Sequence, residues 1–218
     1  IDSLDYLMVR AKVFALSKDK PSEAIEHFEA QLDSGLHGSE DAARYGLSVA
    51  LMRAKQWNKA QPHIEWLLAR HPDRIPLLAA WADIMRHTGK ANRARAIYEE
   101  TIKVFPTDTL MTEKYAELLL LEKQPEKAVS LLETYSRYGD LTANIHSLNA
   151  RALSGVGREL EANAALAEEY VARGDIDAAI HQLGIALQQR EQNDYVAERA
   201  QARLEELERI QRDRAARR

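Results

Sequence analysis

Seven histidines are the side chains best suited to metal or acid–base chemistry: His27, His37, His63, His71, His87, His146 and His181. Two imidazoles share a metal from one helix face when they stand at i and i+4. No pair among the seven has that spacing. The chain has no cysteine, which removes thiolate ligands, thiol nucleophiles and disulfides together. Serine and aspartate are plentiful, but nothing local resembles a nucleophile elbow, and there is no Gly-rich phosphate loop. These observations argue for no catalytic residue, no metal ligand and no cofactor site, hence for a chain that is not itself an enzyme. Trp57, Trp66 and Trp81 could stack on a ligand, yet each has a packing role available. Trp81 falls in a recurring core slot, Trp66 precedes the core residue Leu67, and Trp57 opens a helix that it could staple.

The elements that must position such residues are helical. Of 218 residues, 45% are hydrophobic and 29% charged, the balance of a packed globular chain. Nine glycines, six prolines and 6% aromatics are too few for a loop-rich β protein. A net charge of -4 supplies no electrostatic footprint for nucleic acid or an anionic membrane. No apolar run approaches the roughly 20 residues of a membrane span, so insertion is not expected. The chain opens at Ile1 without a signal-peptide pattern, as a piece of a longer polypeptide would.

Internal repetition organises the whole sequence. Ala60, Ala94, Ala128 and Ala162 are each 34 residues apart (94-60, 128-94, 162-128). Ile64, Tyr98, Leu132 and Leu166 follow one turn later on the same face. Pro72 and Pro106 stop a second helix, and Gly89 and Gly157 mark the turn before it. First helices repeat as Leu47-Ser48, Trp81-Ala82, Tyr115-Ala116 and Asn149-Ala150, with Leu51, Met85, Leu119 and Leu153 three residues beyond the small one. Asn149 fits this register worst. An earlier hairpin fits through Leu7, Ala11, Phe14, Ala24 and Phe28, with a longer loop at 33-38.

These residues resemble the tetratricopeptide-repeat family over roughly 5-190, whose period is 34 residues. The resemblance implies an all-α tetratricopeptide-repeat α-solenoid of about twelve antiparallel helices forming a single domain over 1-218. Helices are expected near 2-17, 21-33, 39-54, 57-70, 73-88, 91-104, 107-122, 125-137, 141-156, 159-173, 175-190 and 194-215. The corresponding hairpins lie near 5-34, 39-70, 73-104, 107-137, 141-173 and 159-190, with a capping helix at 194-215. Ala179 follows Ala162 by 17, half a period, so helix 159-173 must serve two successive hairpins. The tail Arg209 to Arg214 is expected to fray beyond the core.

In arrays of this family, first-helix residues beside the packing stripe line a binding groove. Carried over residue by residue, the resemblance implies a protein-binding groove of Tyr45, Val49, Arg53, Asp83, Arg86, His87, Glu113, Glu117, Asn144 and Arg151. Mixed charge with an aromatic suits a protein surface or an extended peptide. The Lys/Asn set that clamps a terminal carboxylate is not reproduced, since Val49 and Asp83 occupy its slots, which disfavours a chaperone co-adaptor.

A narrower resemblance rests on the C-terminal quarter. The run Arg158-Glu159-Leu160-Glu161-Ala162, then Ala167 through Asp175, Ala179-Ile180, Leu183 and Gln201-Ala202-Arg203, is similar to the end of BepA-type (beta-barrel assembly-enhancing) periplasmic metalloproteases. In that family a zinc protease domain precedes a tetratricopeptide domain that engages the outer-membrane β-barrel assembly machinery and its substrates. The resemblance implies a periplasmic partner-binding domain, acting beside its own protease domain in the full-length protein. No His-Glu-x-x-His motif occurs here, so no catalytic residue carries over. The alternative is a cytosolic or secretion-system tetratricopeptide adaptor unrelated to a protease.

Overall fold

The computed structural model describes residues 3–36, 38–188 and 195–216, and every regular element among them is a helix. The twelve are α1 (Leu4–Ser17), α2 (Pro21–Ser34), α3 (Glu40–Arg53), α4 (Trp57–Arg70), α5 (Ile75–His87), α6 (Ala91–Val104), α7 (Thr109–Leu121), α8 (Pro125–Tyr135), α9 (Ala143–Gly155), α10 (Glu159–Ala172), α11 (Ile176–Gln188) and α12 (Tyr195–Ala216). Each coincides with an expected helix to within a few residues. His37 and residue 194 lie outside the described residues. The chain packs as two compact units, Ile1–Thr101 and Ile102–Arg218, dividing in the last turn of α6.

Local chemistry explains where the helices begin and end. Ser3, Ser39, Asp108 and Thr142 cap α1, α3, α7 and α9 by accepting the backbone N–H of Tyr6, Ala42, Met111 and Ile145. Pro21 and Pro125 stand in the first turns of α2 and α8, where their missing N–H costs nothing. Pro72 and Pro106 lie two residues beyond the ends of α4 and α6.

The turns inside the hairpins share one geometry. Lys55, Gly89, Lys123 and Gly157, spaced by 34, all adopt the left-handed conformation, with φ of 58°, 79°, 57° and 77°. At each, this residue's N–H donates three residues back and the next N–H donates five residues back: Gly89 to Arg86 and Lys90 to Met85, for example. That pair of bonds satisfies carbonyls orphaned at the helix end and sends the chain straight back. Glycine adopts this conformation without cost, whereas Lys55 and Lys123 adopt it against the Cβ penalty.

Such a short turn forces the paired helices together. Ala24, Ala60, Ala94, Ala128 and Ala179 have no exposed surface, and Ala162 has 5%. In the first unit α3 packs on α1, α2 and α4, and α4 on α5. In the second, α8 packs on α7 and α9, and α9 packs also on α7 and α10.

The half-period places α10 in two roles. It packs on α9 and also on α11 and α12. Its turn into α11 repeats the left-handed signature, at Gly174 with φ of 83°. At about 100° per residue, Leu160 and Ala167 lie on one face of α10, while Ala162, Ala165 and Glu169 lie nearly opposite. Ala167 joins Ile176, Ala179, Leu183, Ala200 and Leu207 in the core beneath α11 and α12. The tail does not fray where expected: α12 continues to Ala216, and Ile210 packs onto this same core.

Two substitutions test these contacts. Ala128→Leu is expected to destabilise by about 1–3 kcal/mol through overpacking, read as a lower Tm by circular dichroism; an unchanged Tm would remove Ala128 from a helix contact. Lys123→Gly is expected to stabilise by about 0.5–1 kcal/mol by relieving the left-handed strain, raising Tm by roughly 2–4 °C per kcal/mol. A lowered Tm would show that lysine is unstrained there.

Candidate protein-binding site

The ten expected groove residues divide between the two units. In the first unit Tyr45 does not serve: it is 5% exposed, and burial pushes its phenol pKa up. The reason is that α3 is enclosed by α1, α2 and α4, so more of its circumference is core than a simple groove assigns. Val49 is half-buried. The Arg53 guanidinium donates to the carbonyls of Ala15, Lys18 and Asp19 at 3.3, 2.5 and 3.3 Å. It therefore closes the C-terminal end of α1, where carbonyls lack helical partners and the helix dipole is negative.

On α5, Asp83 is held by its neighbours. Its Oδ1 accepts the Tyr98 hydroxyl at 3.4 Å and lies 3.9 Å from the Arg86 guanidinium. Arg86 Nη2 is 2.9 Å from His87 Nε2. The His87 ring stacks on Trp57, centroids 3.9 Å apart and planes within 4°. Trp57 thus contacts the next hairpin, beyond the staple expected of it. Trp66 is flanked by two guanidinium groups, Arg44 at 4.5 Å and Arg70 at 4.8 Å. All three tryptophans are half-buried, which leaves them as packing residues.

In the second unit Glu113 accepts a hydrogen bond from the Thr142 hydroxyl at 3.0 Å, linking α7 to the cap of α9. Glu117, Asn144 and Arg151 are exposed. These three keep the access to solvent that a binding surface needs.

Sequence reasoning missed a concavity in this unit. A trough of about 520 Å³ runs along the flank of α10, walled by α9 and α12. His146, Asn149 and Leu153 line it from α9, and Glu161, Ala164, Ala165 and Glu168 from α10. From α12, Arg203 donates two hydrogen bonds to Glu168, at 2.8 and 2.9 Å, and one to Glu206 at 2.7 Å. These bonds, Glu168 first, raise the pKa of its guanidinium. On the other side, Arg158 is paired with Glu161 and Glu133. The misfit of Asn149 and the half-period at α10 were the two signals in the sequence that pointed here. Among the described residues, no three His, Asp or Glu side chains come together as a metal site, and no helix is long and apolar enough to cross a membrane.

No protein-family model matches the chain. Among solved structures, yeast Tom70 aligns with a TM-score of 0.55 at 15% identity, over 95% of this chain and 47% of that one. A tetratricopeptide repeat protein from Parabacteroides merdae aligns with a TM-score of 0.50 at 14% identity, over 96% of this chain and 88% of that one. With the repeated turn and alanine contact, the fold is decided. This chain has the tetratricopeptide-repeat fold, an all-α solenoid architecture. In sequence the tetratricopeptide chain resembles the beta-barrel assembly-enhancing protease of Yersinia pestis, at 26% identity over 165 residues. That alignment covers 74% of this chain and 34% of the protease. The chain therefore spans about a third of the length of the curated relatives it matches.

Two histidines in the repeats sense pH through burial. Burial lowers the pKa of His63, and the nearby Arg44 guanidinium lowers it further. His63 Nδ1 stands 3.3 Å from Arg44 Nη1, where a neutral ring accepts that bond. Burial likewise lowers His146, opposed by Glu168 and Glu169 and aided by Arg203. A pKa lowered on folding means that the unfolded chain takes up these protons first. Their contribution is complete above the ordinary imidazole value of 6.5 and is lost as pH falls below it through the lowered folded-state values. Thermal melts between about pH 7.5 and 5.5 should show Tm falling, and less steeply in the double variant His63→Asn, His146→Gln. Equal slopes would remove both histidines from the linkage.

Proposed function

We propose that this chain is a non-catalytic protein-binding domain that engages polypeptides of outer-membrane β-barrel assembly. In the full-length protein it would accompany a zinc metalloprotease domain in the periplasm. The observation that carries this reading is the sequence likeness to a beta-barrel assembly-enhancing protease over 74% of the chain. The fold supports the binding half of the reading. Tetratricopeptide helices expose long rows of side chains whose substitution leaves the core intact, so one scaffold can present a partner-specific surface. Glu117, Asn144 and Arg151 are exposed first-helix residues of this kind. Their opposite charges would set partner choice and association rate more than fold stability.

A urea-unfolded outer-membrane β-barrel protein, diluted into buffer with the purified chain, tests the reading directly. The chain should capture it and delay its aggregation. Charge reversal at two positions, Glu117→Lys with Arg151→Glu, should weaken capture by about tenfold, with helicity and Tm unchanged. Capture that is absent, or no stronger than that of a folded soluble control protein, would overturn the assignment.

A further inference from the structure

We propose that the concavity between the α3–α4 turn and the end of α5 is a docking site for an acidic segment of a polypeptide partner, held by the ammonium groups of Lys55 and Lys59. This deepens the proposed function and rests on it only in taking the partner to be a polypeptide.

Both lysines stand where the fold alone favours another residue. Lys55 holds the left-handed conformation, with φ of 58°, at a turn position that is glycine at Gly89, Gly157 and Gly174. Its Cβ carries a steric cost there that glycine avoids. Lys59 is the third residue of α4, in the first turn, where the positive end of the helix dipole favours a carboxylate and opposes a cation. Departures from local preference collect at functional sites. Here both departures bring positive charge to the same place.

That charge is unanswered by the chain itself. Lys55 and Lys59 line the concavity with Trp57, His87 and Thr88, and no carboxylate is among its lining residues. Both lysines are exposed, and neither makes an ion pair among the described residues. The stacked rings of Trp57 and His87 form a continuous aromatic wall beside them. No acidic residue occupies the first turn of α4 or, 34 residues on, that of α6, where Lys90 and Arg93 stand exposed. In the second unit the corresponding turns carry their own carboxylates. Glu126 stands in the first turn of α8, and Glu161 pairs with Arg158 at the start of α10.

This charge pattern selects the partner. A carboxylate placed between the two ammonium groups gains both ion pairs and relieves the repulsion between Lys59 and its helix end. The aromatic wall offers apolar contact to the methylene groups that carry such a carboxylate. A whole-chain charge of -4 makes the patch local, with no long-range field for a nucleic acid or an anionic bilayer. A short acidic stretch of polypeptide matches that extent.

The test titrates the chain into a fluorescein-labelled peptide of alternating glutamate and serine, read by anisotropy at low salt. The same peptide with glutamine in place of glutamate is the neutral control. The glutamate peptide should bind and the glutamine peptide should not. Lys55→Gly and Lys59→Glu should each hold or raise Tm, because each installs a residue the fold favours. Combined, they should weaken binding by about tenfold. Lys123→Gly, the same turn substitution in the second unit, should leave binding unchanged. Wild-type binding by the combined variant would overturn the site, and so would an equal loss in Lys123→Gly. A lower Tm in both single variants would assign the lysines to the fold and overturn it as well. Binding to phosphatidylglycerol vesicles but not to the glutamate peptide would make the patch a membrane contact and overturn the polypeptide partner. The two proposals fail separately. If the unfolded β-barrel protein is captured while the glutamate peptide is not bound, the site falls and the proposed function stands. If the peptide is bound as expected and the β-barrel protein is not captured, the proposed function falls and the site stands.

Discussion

Helices that return on each other through a three-residue turn have no room for large side chains where they cross, and this closeness governs the rest of the molecule. Each turn places one residue in the left-handed region and satisfies two carbonyls, so the second helix starts almost against the first. Alanine at the crossing is then a steric requirement, met with complete burial at Ala60, Ala94, Ala128 and Ala179. Larger side chains fill the space to either side: Leu51, Met85, Leu119 and Leu153 on first helices, Ile64, Tyr98 and Leu132 on second helices. A repeated contact needs a repeated sequence, and the 34-residue period follows from it.

The same contact used at half the period changes the architecture. Because alanine at 179 follows alanine at 162 by 17, α10 must offer crossings on two faces, and its buried residues divide accordingly. A helix packed on both faces leaves a flank that neither neighbour covers. The trough lies along that flank, with Glu161, Ala164 and Glu168 of α10 on one wall and Asn149 of α9 and Ala202 of α12 lining it from the neighbouring helices. The departure from regularity and the most site-like feature of the second unit have one cause.

Polar residues follow a different logic from the core. Exposed charge on a repeat helix is free to bind a partner only when the chain itself has not engaged it. Arg53 and Asp83 are engaged: one caps α1, the other receives Tyr98 and faces Arg86. Tyr45 is removed by burial, and Glu117, Asn144 and Arg151 remain accessible. Binding capacity on this scaffold is what remains after the chain's own caps and bridges are made.

By itself the sequence determined the helices, their turns and the shared role of α10, because those depend on residues within one period of each other. Apolar spacing reports helix faces, a glycine reports a turn, and a small residue reports a close contact, all without knowledge of distant chain. The tertiary structure alone decided which polar residues were available. Arg53 meets carbonyls 34 to 38 residues away, and Arg203 meets a carboxylate 35 residues away. Nothing in the local pattern of either arginine names those partners, since a charged side chain at one helical position has the same periodicity whether it is solvated or bonded. The trough was half legible: Asn149 stood out as a misfit, but an opening needs walls, and α12 joins α9 there only once the helices are packed in three dimensions.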